Sequence, residues 1–178
     1  LSSTPQPVLD VGDLVIRPWA ARDASPLAEA YSDEQIQQWH ARSMTVSEAH
    51  AWATTRELRW RAEVGADWAV TQNGRLAGRV GLRTMDPESG QAEVAYWVIP
   101  HARRRGIATR AVGALSSWAF DTAGFHRLDL RHSVRNAASC RAALRCGFVV
   151  EGIARSSALH PDGWHDMHLH ARITTAGA

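Results

Sequence analysis

The chain of 178 residues contains no lysine, so all 20 of its formally basic residues are arginine. A Schiff-base or lysine-nucleophile mechanism is thereby excluded. Cysteine is scarce as well: the two present, Cys140 and Cys146, lie in one predicted helix at a spacing that rules out an easy disulfide, and two thiols alone cannot make a zinc site. Both read as small helix residues. No apolar run approaches the length of a membrane span, and the opening LSSTPQPVLD lacks the basic and apolar blocks of a secretory signal. A soluble cytoplasmic protein with no membrane partner is expected. The net charge of +2 is too small to argue for direct nucleic-acid binding. What is present is 45% hydrophobic residues, enough at this length for one sizeable core. A single domain over residues 1–178 is expected, with a polar leader to about Gly12.

The stretch from Val94 to Ala111 organises the rest. Glu93 to Ile99 is a run of β-branched and aromatic residues bounded by Pro100 and reads as a strand, after which the chain turns and opens a helix. Between them lies Arg103-Arg104-Arg105-Gly106-Ile107-Ala108. A helix start presents unsatisfied N–H groups, and arginines add formal charge to the helix dipole, so the expected ligand there is a phosphate or pyrophosphate.

Around this stretch the chain reads as a strand at Leu14 to Trp19, then a helix capped by Asp23 with Ala24, Leu27, Ala28 and Tyr31 on its apolar stripe. A short helical piece at Glu34 to His40 follows. A longer helix is expected from Thr45 to about Val64, opened by a Thr45/Glu48 capping box. Asn73-Gly74 marks a hairpin between Trp68–Thr71 and Leu76–Arg83. After the central strand and a helix from about Arg105 to Thr122, Leu128 to Val134 reads as a strand, Ala137 to Arg145 as a helix, and Gly147-Phe148 opens a strand through Val150. Asp162-Gly163 joins a last hairpin ending near Ile173. The β-α-β unit in the middle implies two parallel neighbours inside a largely antiparallel sheet of about seven strands.

These residues carry a family resemblance. Arg103-Arg104-Arg105-Gly106-Ile107-Ala108 resembles the Gln/Arg-x-x-Gly-x-Gly/Ala motif of the GNAT superfamily of acyl-CoA-dependent N-acetyltransferases. Asn136-Ala137-Ala138-Ser139, Cys146-Gly147-Phe148 and Glu151-Gly152 resemble the Rim-type branch, which acetylates the N-termini of ribosomal proteins. Leu14, Arg17-Pro18, Asp23-Ala24, Gly163-Trp164-His165-Asp166 and Ala171-Arg172-Ile173 resemble its first and last signatures, so the likeness runs from about residue 12 to 173.

The resemblance implies an α+β fold with helices on both faces of a mixed, mostly antiparallel sheet and a splay between its two central parallel strands. It also implies acetyl-CoA as co-substrate, held in that splay. The pyrophosphate would lie on the amides of Arg103, Arg104, Arg105, Gly106, Ile107, Ala108 and Thr109, with Gly106 and Ala108 small enough for close approach. Asn136 would bond the pantetheine, and a backbone N–H near Val98 would stabilise the oxyanion. Many GNAT enzymes place a tyrosine acid where this chain has Ala143; in the Rim branch the serine takes that part, which makes Ser139 the candidate acid. Glu93 is the nearest carboxylate for a base, the glutamate of some Rim-type enzymes being replaced by Ala158 here. A water chain with no single base is the alternative.

His165, His168 and His170 gather on the last hairpin, but GNAT chemistry needs no metal and none is expected. Trp39, Trp52 and Trp60 fall in helices that wall the acceptor cleft in the resembled fold. The expected partner is an acceptor amine, either a protein N-terminus or a small molecule. A non-catalytic acyl-CoA-binding module is the reading from a different class. Oligomeric state, a homodimer included, is left open by the sequence.

Overall fold

The computed structural model describes residues 1–40 and 42–174. Eight strands form one sheet: β1 (Leu9–Val11), β2 (Leu14–Pro18), β3 (Ala66–Gln72), β4 (Arg75–Asp86), β5 (Gln91–Val98), β6 (Arg127–Ser133), β7 (Val149–His160) and β8 (Gly163–Ile173). Their order is β1-β2-β3-β4-β5-β6-β8-β7, and every neighbouring pair is antiparallel except β5 and β6. The parallel pair is the one predicted from the β-α-β unit. The strand beyond the expected count is β1, which lies in what read as leader and folds back on β2 through Gly12 at φ +67°.

The helices are α1 (Ala24–Ser32), α2 (Glu34–His40), α3 (Val46–Thr54), α4 (Arg56–Arg61), α5 (Ile107–Asp121) and α6 (Ala137–Arg145). The capping box at Thr45 is formed as expected, the Thr45 hydroxyl accepting from the Glu48 N–H while the Glu48 carboxylate accepts from the Thr45 N–H. The single helix expected to run on to Val64 is broken at Thr55. Thr54 and Thr55 turn their hydroxyls back onto the carbonyls of His50 and Ala51, a competition with the backbone ladder that weakens a helix. Asp23 also departs from expectation. Its carboxylate does not cap α1 but accepts from both ends of the Arg17 guanidinium at 2.7 Å and from the Ala20 N–H at 2.9 Å, tying β2 to the turn before the helix.

Side chains alternate between the faces of a strand, so the pairing Val94 with Leu130 sets Val94, Tyr96, Leu128, Leu130 and His132 on one face. That face is covered by α5 and α6. α5 contributes Ile107, Ala111, Val112, Leu115 and Ala119, each at most 2% exposed. On the opposite face Trp97 meets Tyr31 of α1, edge to face at 5.6 Å, and donates its indole N–H to the tyrosine oxygen. Burying this aromatic pair stabilises the fold by several kcal/mol on the usual scale of about 25 cal/mol per Å².

Candidate active site

The parallel pairing of β5 and β6 runs from Gln91/Arg127 to Val94/Leu130 and stops, although β5 continues to Val98 and β6 to Ser133. Beyond Val94 the two strands splay. The Ile99 N–H is spent on the Ala77 carbonyl of β4, so by alternation the N–H of Val98 faces the open edge. The Val98 carbonyl is held by the Arg103 Nε at 3.0 Å. The splay opens into a cleft of about 1030 Å³.

At its mouth the chain makes one turn of 3-10 helix at Pro100–Ala102 and reaches α5 through two left-handed residues, Arg104 at φ +63° and Gly106 at φ +71°. A side chain is strained at such a φ, and at Gly106 a Cβ would point into open space with nothing within 4 Å. The helix therefore begins with a bare backbone cradle. The N–H groups of Ile107, Ala108 and Thr109 open the first turn, where the helix itself supplies no acceptor. These residues fit a pyrophosphate. Arg103 is used differently from expectation: its amide donates to Pro100, and its guanidinium reaches Val98, the Gln35 side chain and, at 4.0 Å, Asp33. It ties the end of β5 to α2 while adding its charge to the cleft. Arg104 lines the cleft, whereas Arg105 is exposed and lies off its wall.

Across the splay, α6 begins at Asn136, whose side-chain oxygen caps the helix by accepting from the Ser139 N–H at 3.0 Å. Only the amide NH₂ of Asn136 is thus left for a ligand. The cap turns Ser139 into the cleft, where its hydroxyl is 2.8 Å from the hydroxyl of Tyr96 on β5. Burial, opposed by this hydrogen bond, pushes the Tyr96 phenol up to about 12, so it keeps its proton. Tyr96 escaped the reading of the sequence. Its partner Ser139 stands on a different element, so the sequence carried no signal for the pair.

Glu93 lies within the paired part of the strands, opposite Asp129, and its carboxylate is 3.4 Å from Arg83. Alternation puts it on the α1 face, away from Tyr96 and Ser139, so the Glu93 carboxylate and the Ser139 hydroxyl lie on opposite sides of the sheet. His40 also lines the cleft. Burial, with the charges of Arg79 and Arg83, pushes it down to about 4, so this imidazole is neutral. Trp39 lines the cleft and packs against His160 and His165 at 5.9 and 6.3 Å. Trp52 and Trp60 do not. Trp52 packs on Trp19, and Trp60 on Trp68 and Trp118 in the core.

The expected histidine cluster is sorted into two. His165 packs against Trp39 and His160, bonded to Ser133 and Asp162. His168 and His170 lie on the other face, where they meet His132 and Cys140.

Residues 13–149 match the family model described as "Acetyltransferase (GNAT) domain". The chain belongs to the GNAT acetyltransferase family. It is 24% identical over 153 residues to the uncharacterized N-acetyltransferase YoaA of Bacillus subtilis, covering 84% of this chain and 86% of that one. It is 28% identical over 104 residues to the ribosomal-protein-serine acetyltransferase of Escherichia coli, covering 58% of each. Its fold superposes with a TM-score of 0.87 on RimL, a ribosomal α-N-protein acetyltransferase solved in complex with coenzyme A, at 19% identity over 96% of this chain and 99% of that chain. This GNAT chain is an acetyl-CoA-dependent N-acetyltransferase, with the family's mixed sheet and helices on both sides.

Proposed function

We propose that this acetyltransferase modifies the N-terminal α-amine of a protein, a ribosomal protein fitting best. The observation that carries the reading is the extent of the cleft. At about 1030 Å³ it takes the donor at the start of α5 and continues past the splay to Trp39, His40 and His160, where an extended peptide end can lie beside the donor. The name of the Escherichia coli relative supports the same acceptor class. An α-amine has an ordinary pKa near 8, so part of it is neutral at physiological pH and needs little help to lose a proton.

The donor's pyrophosphate lies on the amides of Ile107, Ala108 and Thr109, and its pantetheine adds to the open edge of β5 much as a strand would. The neutral amine enters from the α1 face, where Glu93, directly or through water, accepts its proton as the new C–N bond forms. The thioester oxygen becomes an oxyanion held by the Val98 N–H. When the C–S bond breaks, Ser139 gives its proton to the leaving thiolate and is reprotonated by Tyr96, which burial holds in its neutral, protonated form and which takes its proton back from solvent. The proton lost by the amine thus replaces, by way of solvent, the one delivered to coenzyme A.

Mass spectrometry after incubation with acetyl-CoA, a panel of N-terminal peptides and a panel of small amines tests the acceptor. Acetylated peptides are expected; modification confined to small amines would favour a metabolite or antibiotic acetyltransferase. Coenzyme A binding with no acceptor modified would favour a binding module. Gly106→Val, which brings a β-branched residue to φ +71° and fills the cradle, is expected to weaken coenzyme A binding at least tenfold by calorimetry. Unchanged affinity would remove the basis of the pyrophosphate assignment.

A further inference from the structure

Where α6 packs on β6 and β8, four metal-ligating side chains converge, with His132 at the wall of the cleft. His132 of β6 and His168 of β8 are direct partners across an antiparallel pair, and His170, two residues on, shares their face. α6 brings Cys140 down onto them. One ligand atom from each of the four residues lies within 4.8 Å of all the others. A tetrahedral zinc with bonds of about 2.0 Å to nitrogen and 2.3 Å to sulfur needs its ligand atoms about 3.3–3.5 Å apart, so small rotations about the side-chain bonds close the site.

The hydrogen bonds show an unfinished arrangement. The His132 Nδ1 is 2.8 Å from the Ser133 carbonyl, which can only accept, so Nδ1 carries the proton and Nε2 presents its lone pair to the cluster. Metal-bound imidazoles are oriented by this kind of bond to a backbone carbonyl. That lone pair is 2.9 Å from Nε2 of His170. The Nδ1 atoms of His168 and His170 are both buried without a hydrogen-bond partner. His170 is 1% exposed, and an orphaned nitrogen at that depth is costly unless something accepts its lone pair.

We propose that His132, Cys140, His168 and His170 form a structural zinc site that pins α6 to the sheet. Three imidazoles and a thiolate make a closed tetrahedral set, which leaves no position for substrate. On binding, Cys140 gives up its thiol proton to solvent. Its neighbour Ser139 projects to the other side of the same helix turn, into the cleft, so the metal fixes the position of the candidate acid without touching the reaction. The site itself does not depend on which amine is the acceptor.

Cobalt(II) titration of the metal-free protein tests this apart from any acetylation assay. The expected spectrum has the visible bands of tetrahedral cobalt and a near-ultraviolet thiolate-to-cobalt band. That band is lost in Cys140→Ser and kept in Cys146→Ser. Zinc, followed against a chromophoric chelator, is expected to bind His168→Ala at least ~100-fold more weakly, the upper end of what losing merely a ligand's supporting partner costs. Zinc is also expected to raise the melting temperature of the parent chain but not of Cys140→Ser. A cobalt spectrum lacking the sulfur band, or one unchanged in Cys140→Ser, overturns the site.

Discussion

Two buried polar clusters flank the splay, and they are built on opposite principles. On the β3–β4 side Asp67, with no exposed side-chain surface, is enclosed by guanidinium groups: Arg79 binds one carboxylate oxygen through two nitrogens, and Arg56 and Arg59 approach the other at 3.5 and 3.7 Å. Arg56 and Arg79 also lie over the ring of Trp52. On the β6–β8 side the histidine cluster holds imidazoles that burial keeps neutral at His132 and His170, with nitrogens left over. Formal charges cannot be buried unless countercharges are in place, so the Asp67 charge is compensated within the chain, although its second oxygen has ion-pair neighbours and no hydrogen bond. Neutral rings can be buried with their bonding unfinished at a smaller cost. The first cluster holds the fold by itself; the second has capacity to spare.

Four substitutions probe that difference. The largest effect is expected for Asp67→Ala, which leaves buried arginines unpaired; urea denaturation should show a loss of about 3–5 kcal/mol, and a loss below about 1 kcal/mol would put this network on a par with a surface ion pair. Next is the bond that crosses the splay between the two sides. Ser139→Ala is expected to lower kcat about 100-fold, or about 2.7 kcal/mol, with KM for acetyl-CoA little changed, and Tyr96→Phe about tenfold. Steady-state kinetics that show full turnover in Ser139→Ala would end its part as the acid. The smallest effect is expected for His170→Leu in the metal-free protein. It removes an unpartnered nitrogen along with one hydrogen bond, so the stability change should be about 1 kcal/mol. A loss as large as that of Asp67→Ala would erase the contrast.

The elements that the sequence announced are those whose causes are local. Asn73 and Gly74 take φ values of +50° and +77° in a hairpin turn, and the Thr45 box forms within four residues. The order strand, turn, helix around Gly106 rests on a run of fewer than twenty residues. The break at Thr55 depends on which of two competing hydrogen bonds wins, and periodicity does not decide that. Trp52 and Trp60 share a helical pattern with cleft residues, and only packing separates them. Tyr96 with Ser139, and Cys140 with three histidines, come together from distant elements, so no spacing in the chain could reveal either group. The two cysteines were read as a pair, and the structure gives Cys140 its company from β6 and β8 instead.

The two halves of the sheet, five strands on one side and three on the other, are joined by a parallel seam only four residue pairs long. A seam that short is a weak point in cooperative unfolding, since β6 to β8 can loosen without disturbing the antiparallel ladders of β1 to β5. Any molecule that bonds to both free edges acts as the missing length of strand. Its binding free energy is then added to the stability of the native state, by RT ln(1 + [L]/Kd). In a transferase of this build the donor is consumed with every turnover, so the resistance of the chain to unfolding follows the supply of its own substrate.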